Sequence, residues 1–120
     1  MTSRKRVRAE PYSGPELKGI DVSHWQTSVD FDRVAVDGVS FCYVRAADGK
    51  DIDATFKKRY RECRRAGIRR GAYIYIRADR DGETQAKRLL NLLDEMDADG
   101  MDLVPAVDLE RKSGKNLNGG

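Results

Sequence analysis

Short apolar runs alternate with amphipathic stretches along the chain from Lys18 onward, and this alternation predicts the secondary structure. Four runs have the length of strands and contain many β-branched and aromatic residues. They cover residues 19–23, 39–46, 71–76 and 103–109. Near-continuous apolar strands are typical of a parallel sheet whose two faces are both covered.

Three segments between these strands have the spacing of helices. The apolar residues of segment 53–66 recur at steps of four and three, on one helix face: Phe56, Tyr60 and Cys63. Asp53 is well placed to cap this helix, and Gly67 is well placed to end it. A shorter helical segment covers residues 32–37.

The third helical segment, residues 83–96, has a wider apolar stripe that includes Leu90, with Asp81 or Thr84 near its start. The order is therefore β-α-β-α-β-α-β, which predicts an α/β fold with a parallel sheet and right-handed crossovers. About four β-α units are too few for a closed eight-stranded barrel, which needs about 250 residues. We expect half of such a structure.

Composition and charge narrow the class of protein. The 120 residues suffice for one modest domain, and no apolar run approaches the roughly 18–20 residues that cross a bilayer. Net charge is +3, with a basic opening at residues 3–8 that no apolar signal-peptide segment follows. We expect residues 1–17 to form a basic flexible leader. A patch for anionic polymers, either bacterial wall polymers or nucleic acid, is the alternative.

The chain has two cysteines, Cys42 and Cys63, and one histidine. Their spacing does not match a metal site, so no metal is expected. Both cysteines lie in apolar patterns, which favours two small buried thiols, since free cysteine is among the most buried residue types. A disulfide between them remains the alternative.

Carboxylates follow the predicted strands. Asp21 ends the first run, Asp48 follows the second, and Asp108 and Glu110 close the fourth. The carboxyl ends of strands build the active sites of parallel α/β barrels. Two residues apart on a strand, Asp108 and Glu110 share a face, about 6.6 Å apart. Crowded carboxylates raise one another's pKa, and glycoside hydrolysis uses such pairs. Helix caps or solvated loop residues are the alternative interpretation.

Residues 19–26, Gly-Ile-Asp-Val-Ser-His-Trp-Gln, resemble the opening signature of family 25 lysozymes, glycoside hydrolases that cut peptidoglycan after N-acetylmuramic acid. The similarity continues in order at residues 38–46, at 66–75 and at 105–110, which hold a D-x-E motif. The resemblance implies a partial (β/α) barrel of the family 25 muramidase type. It also implies that residues 18–120 are the N-terminal part of the catalytic domain, without its C-terminal strands.

The resemblance also implies roles for the carboxylates. Glu110 would be the general acid that protonates the leaving oxygen. Asp108 would orient the substrate acetamido group or stabilise the positive charge on the sugar. The acetamido group acts as internal nucleophile in such substrate-assisted enzymes, an exception to the two-carboxylate scheme. Asp21 would tune charge or binding beside them.

Aromatic residues complete the implied site. Tyr73 or Tyr75 would line the sugar groove, because aromatic faces stack on sugar rings, or else lie in the core. Trp25 would be a sugar platform or a plug under the barrel. Two positions depart from the family. Asp48, a further substrate-binding candidate whose shorter carboxylate would still reach the groove, lies in Ala-Asp-Gly where the family usually has Thr-Glu-Gly. Ile74 stands where many members have His.

The resemblance favours a lysozyme-like hydrolase that cleaves the β-1,4 bond between N-acetylmuramic acid and N-acetylglucosamine. A catalytically incomplete peptidoglycan-binding remnant is the alternative, and a nucleic-acid-binding protein ranks third because no binding signature accompanies the basic residues. We expect action outside the cell or at the cell wall, with the glycan strand as partner. We expect no cofactor, and we expect self-association through open sheet edges.

Overall fold

The computed structural model describes residues 17–109, and the elements follow the predicted alternation. They are β1 (Lys18–Val22), α1 (Phe31–Val36), β2 (Val39–Asp48), β3 (Asp51–Ile52), α2 (Phe56–Arg65), β4 (Arg69–Tyr75), α3 (Gly82–Glu95) and β5 (Ala106–Asp108). Glu110 and all of the predicted leader except Leu17 lie outside the described residues. The leader boundary and the position of Glu110 therefore stay predictions.

The sheet has the strand order β1-β2-β4-β5, with neighbouring strands parallel. The predicted α/β fold with a parallel sheet is confirmed, and its shape is that of half a barrel. The two-residue strand β3 was not predicted. It folds back antiparallel on the end of β2, through a turn in which Gly49 has a φ of +60° that favours glycine.

One face of the sheet carries the core. Outward-facing residues of β2 and β4 pack against α2 and α3, and the largest fully buried side chains include Phe56, Tyr60 and Ile74. Burying each such side chain contributes about 1.5–3 kcal/mol. The alternate residues of the strands face the other side, where the aromatic side chains of Phe41, Tyr43 and Tyr73 stay partly exposed. The expectation that both faces are covered therefore holds for one face only, within residues 17–109.

Helix α2 ends as predicted but starts later. Gly67 has a φ of +80° and its N–H donates to Arg64 O, so the helix stops in a left-handed turn. Asp53 is not the N-cap, because the first helical residue is Phe56 and the carboxylate of Asp53 serves other donors. In α3 the cap is Asp81, which accepts a hydrogen bond from Thr84 N at 3.1 Å.

At the amino end of β4, Arg70 ties α2 to the loop before β5. Its guanidinium lies 4.0 Å from the centre of the Tyr60 ring and donates to Asp102 at 3.1 Å. Tyr60 Oη donates to the same carboxylate at 2.8 Å. Burial, followed by the hydrogen bond to Asp102, raises the pKa of Tyr60. This network stabilises the end of the sheet that lies opposite the predicted site.

Both cysteines are fully buried free thiols between β2 and α2, in agreement with the buried-thiol interpretation. A hydrogen bond with Cys42, and then burial, raises the pKa of Cys63. None of the helices within residues 17–109 is long and apolar enough to cross a bilayer.

Candidate active site

An open groove of about 490 Å³ lies on the uncovered face of the sheet. It is lined by alternate residues of β1, β2, β4 and β5, together with their immediate neighbours: Gly19, Ile20, Asp21, Phe41, Tyr43, Tyr73, Ala106, Val107 and Asp108. Side chains alternate between the faces of a strand, so inward residues of parallel neighbours form rows across the sheet. The strands therefore bring residues that are distant in sequence into one groove.

The register places the predicted residues in three successive rows. Asp21 pairs with Tyr43, Tyr73 pairs with Arg45 and Ala106, and Tyr75 pairs with Asp48 and Asp108. A bulge between Arg45 and Ala47 shifts the register of β2 by one residue, so that Asp48 pairs with Tyr75. Of the predicted residues that the structure describes, Asp21, Tyr73 and Asp108 line the groove.

Two glycines let aromatic rings lie flat on the groove floor. A Cβ at Gly19 would lie 2.0 Å from the Phe41 ring, and a Cβ at Gly71 would lie 2.6 Å from the Tyr43 ring. The Tyr43 hydroxyl then reaches past Gly71 and donates to Val104 O at 2.9 Å. The floor is consequently apolar and flat, with a polar rim at the carboxyl ends of the strands.

The charged groups of the groove shift the pKa of Tyr73. Burial raises its pKa first, the carboxylate of Asp21 raises it further, and Asp108 adds to the effect against the opposing charge of Arg45. Together they raise the pKa of Tyr73 to about 12. Like an ordinary tyrosine, the phenol keeps its proton at neutral pH, and the raised pKa keeps it protonated into alkaline solution, so its O–H remains a donor.

Asp48 is held by arginine in the structure. Arg77 donates to its carboxylate from Nε at 2.6 Å and from Nη2 at 2.8 Å, while Arg45 Nη1 lies 3.9 Å away. The hydrogen bond and charge of Asp48 raise the pKa of Arg77, against the effect of its burial. Arg77 also lies over the ring of Tyr75, at 4.9 Å from its centre. Asp48 and Arg77 thus form an ion pair beside the groove, with the Arg77 guanidinium over the ring of Tyr75.

Trp25 lies on the turn after β1, with 74% of its surface exposed. This exposure rules against a plug beneath the sheet within residues 17–109. Its ring packs on His24, with 4.6 Å between the ring centres.

A buried ion pair next to the groove was missed from the sequence. Asp53, whose carboxylate is fully buried, accepts from Arg45 Nε at 3.2 Å and from the backbone N of His24 at 2.9 Å. Burial by itself raises the pKa of Asp53, but hydrogen bonds from Thr55 and His24 and the charge of Arg45 leave it lowered. The available signal was Arg45, a charged residue inside an otherwise apolar strand.

Between residues 17 and 109, no group of three or more His, Cys, Asp or Glu side chains is placed to hold a metal ion. The arrangement offers carboxylates, a protonated phenol and aromatic faces. These groups suit proton transfer and the binding of a polyhydroxylated ligand.

Comparison with known proteins gives a consistent family match. The model of glycosyl hydrolases family 25 matches residues 20–119. The autolytic lysozyme of Clostridium acetobutylicum is 33% identical over 103 residues, which are 85% of this chain and 31% of that protein. Lysozyme M1 of Streptomyces globisporus is 41% identical over 69 residues, which are 57% of this chain and 24% of that protein.

Solved structures give the same match in three dimensions. The bacterial lysozyme from Streptomyces coelicolor superposes with a TM-score of 0.72 at 31% identity, covering 85% of this chain and 48% of the other. The muramidase from Trichobolus zukalii gives a TM-score of 0.73 at 28% identity, covering 84% and 50%. The chain therefore spans about a third or less of these two curated relatives and about half of these two solved chains.

Proposed function

Because the chain belongs to family 25 of the glycosyl hydrolases, we propose that it is the N-terminal part of a lysozyme-like hydrolase. Its substrate is the peptidoglycan glycan strand, and the bond cleaved is the β-1,4 bond between N-acetylmuramic acid and N-acetylglucosamine. The observation that carries this proposal is the groove in which Asp21, Tyr73 and Asp108 meet at the carboxyl ends of parallel strands.

Each group has a task in this proposal. Glu110 gives its proton to the glycosidic oxygen as the bond from that oxygen to the sugar C1 breaks. The carbonyl oxygen of the substrate acetamido group attacks C1 and forms a cyclic intermediate, which water then opens as Glu110 takes a proton back. Asp108 orients the acetamido N–H and stabilises the positive charge that develops. Asp21 adds negative charge to the same groove.

Tyr73 keeps its proton and donates a hydrogen bond, either to a substrate oxygen or to one of the two carboxylates. The raised pKa of Tyr73 supports this role, because an ionised phenol would repel Asp21 and Asp108. Trp25 and Tyr75 offer aromatic faces to sugar rings. Asp48 acts through its ion pair with Arg77, which fixes the edge of the groove.

The proposed place of action is the cell wall or the extracellular space, where peptidoglycan is accessible. The proposed partner is the glycan strand, and no step needs a metal or an organic cofactor. Two copies of the chain are proposed to associate through β1 and β5, which are the edge strands of the described sheet.

The test is digestion of purified peptidoglycan by the 120-residue chain, with mass spectrometry of the released muropeptides. We expect new reducing N-acetylmuramic acid ends from the wild type and none from Glu110→Gln or Asp108→Asn. Ser40→Ala, an exposed change at the other end of β2, serves as the control and should retain release.

A second candidate is a peptidoglycan-binding remnant that does not cut. The openness of the groove supports it, because Asp21, Tyr73 and Asp108 lie on one face of an open sheet, and aromatic faces can hold a glycan strand without cleaving it. A folded wild type that sediments with peptidoglycan but releases nothing would select this candidate over hydrolysis.

A further inference from the structure

The turn after β1 carries the single histidine and the single tryptophan of the chain, His24 and Trp25. The side chain of His24 is 46% exposed, and Trp25 is 74% exposed. The two rings are tilted by 34° and stacked at 4.6 Å. The turn begins directly after β1, whose Asp21 lines the groove. A paired aromatic surface therefore stands exposed beside the proposed site.

Buried groups hold this turn in place. Ser23 O accepts hydrogen bonds from Gln26 N at 3.0 Å and from Arg59 Nη1 at 2.6 Å, and Arg59 Nη2 donates to Gln26 O. Gln26 Oε1 accepts from Ser23 N at 2.7 Å. Arg59 itself is only 5% exposed. Because the backbone of the turn is fixed before any ligand arrives, binding there costs little backbone conformational entropy.

The buried ion pair orients the ring of His24. Asp53 Oδ2 accepts from His24 N and from Arg45 Nε, while Arg45 Nη2 donates to His24 Nδ1. A guanidinium has donors only, so this contact favours the tautomer in which Nδ1 accepts and Nε2 carries the proton, although Asp53 Oδ2 also lies 3.5 Å from Nδ1. The half-exposed ring therefore keeps Nε2–H as its donor.

We propose that His24 and Trp25 together form a carbohydrate subsite on the β1 side of the groove. Trp25 stacks on the face of one amino sugar, and His24 Nε2–H donates to a hydroxyl or acetamido oxygen of the strand. Arg45 and Asp53 are positioning residues, because they act through His24 and the turn. The identity of the ligand as a β-1,4-linked amino-sugar strand rests on the proposed function.

The test uses the fluorescence of Trp25, which is unambiguous because the chain has one tryptophan. The full chain is titrated with the tetramer of N-acetylglucosamine, and we expect a saturable change. His24→Phe keeps a ring against Trp25 but removes the donor, and should raise the Kd about fivefold, as expected for one hydrogen bond. His24→Gln restores a donor near the position of Nε2 and should stay within about twofold of the wild type. Leu90→Ala, exposed on α3, is the control.

The positioning role has its own signature. Nitrogen NMR of the single imidazole should show the proton on Nε2 at neutral pH, and Arg45→Lys should give a mixture of tautomers. A proton on Nδ1 in the wild type would overturn the role of Arg45. Absence of a saturable fluorescence change would overturn the subsite, and an equal Kd for the two His24 variants would overturn the donor.

Failure of this inference is distinct from failure of the proposed function. If the wild type releases muropeptides but its fluorescence does not change with the tetramer, the subsite is contradicted and the hydrolase proposal stands. If the fluorescence change is saturable and the Kd rises in His24→Phe, but no muropeptides are released, the subsite stands and the hydrolase proposal is contradicted.

Discussion

Gly71 shows how one residue shapes the groove floor. A Cβ there would lie 2.6 Å from Tyr43 Cε1 and 2.8 Å from Leu103 Cβ. The tyrosine is a long side chain that could shift, but the Leu103 Cβ is bound to the backbone. Because Gly71 has no side chain, the Tyr43 ring and the loop before β5 can both pack directly against β4.

We expect Gly71→Ala to lower the free energy of unfolding by about 1–3 kcal/mol, because the added methyl overpacks this contact. Chemical denaturation measures the change. The matched control is Gly100→Ala, where a Cβ meets nothing within 4 Å. Equal stability of the two variants would show that the floor adapts without strain.

Asp53 makes stability depend on pH. Its pKa is lower in the folded chain than its ordinary value of about 3.9 in the unfolded chain. It therefore stabilises the fold above that value, and this stabilisation is lost as the pH falls through the lower folded-state pKa. The pKa of Asp102 is also lowered, despite the opposing effect of burial. Its contribution to stability is therefore lost on acidification in the same way.

Asp53→Asn should cost about 3 kcal/mol at neutral pH, because the side chain is fully buried and Arg45 loses the nearer of its two carboxylate partners. The difference from the wild type should shrink as the pH falls from 5 toward 2, as followed by denaturation at each pH. Asp51→Asn changes a carboxylate that is 76% exposed and should track the wild type throughout. Parallel curves for Asp53→Asn and the wild type would contradict the lowered pKa.

At the scale of elements, periodicity predicted α2 well and α3 less well. Phe56, Tyr60 and Cys63 are all fully buried, as their spacing requires. In α3, Leu90 was predicted in the apolar stripe but is 58% exposed, while Gln85 is buried. The Gln85 amide donates to Arg77 O and accepts from Arg77 N, so a polar residue takes the buried position by hydrogen-bonding the loop after β4.

Tyr60 links α2 to the loop before β5, so Tyr60→Phe tests this connection. We expect a loss of about 1–2 kcal/mol in the free energy of unfolding, since the ring stays buried but Asp102 loses one donor. Lys58→Ala, on the exposed face of the same helix, should stay within about 0.5 kcal/mol of the wild type. Thermal or chemical melting of the three proteins gives the comparison, and a neutral Tyr60→Phe would show that Arg70 and Arg64 satisfy Asp102 without it.

At the scale of the whole molecule, the described sheet has two parallel edges and an open groove between them. Val107 on β5 is 63% exposed, and Val104 before it is 78% exposed. Unpaired backbone groups beside exposed apolar side chains invite pairing with another chain. This is the physical basis for the proposed association through β1 and β5.

We expect the 120-residue chain to self-associate or to be poorly soluble, and Val107→Lys to reduce that association because a charge blocks strand pairing. Light scattering across a range of concentrations measures it. Val36→Lys places the same charge at a site that is 80% exposed at the end of α1, outside both edge strands, and should leave association unchanged. A clean wild-type monomer with cooperative melting would contradict the proposal.

The sequence by itself determined the order of the helices and the parallel strands, the α/β class and the family, because strand and helix periods and short motifs are local properties of the chain. It also indicated Asp21 and Asp108 as groove residues, since the carboxyl ends of parallel strands meet at one edge. Only the tertiary structure decided the partners of these residues. That Arg77 binds Asp48, that Arg45 and Asp53 hold His24, and that Trp25 is exposed all depend on contacts between residues distant in sequence. Such contacts depend on how the elements pack together, and a local sequence pattern does not predict that packing.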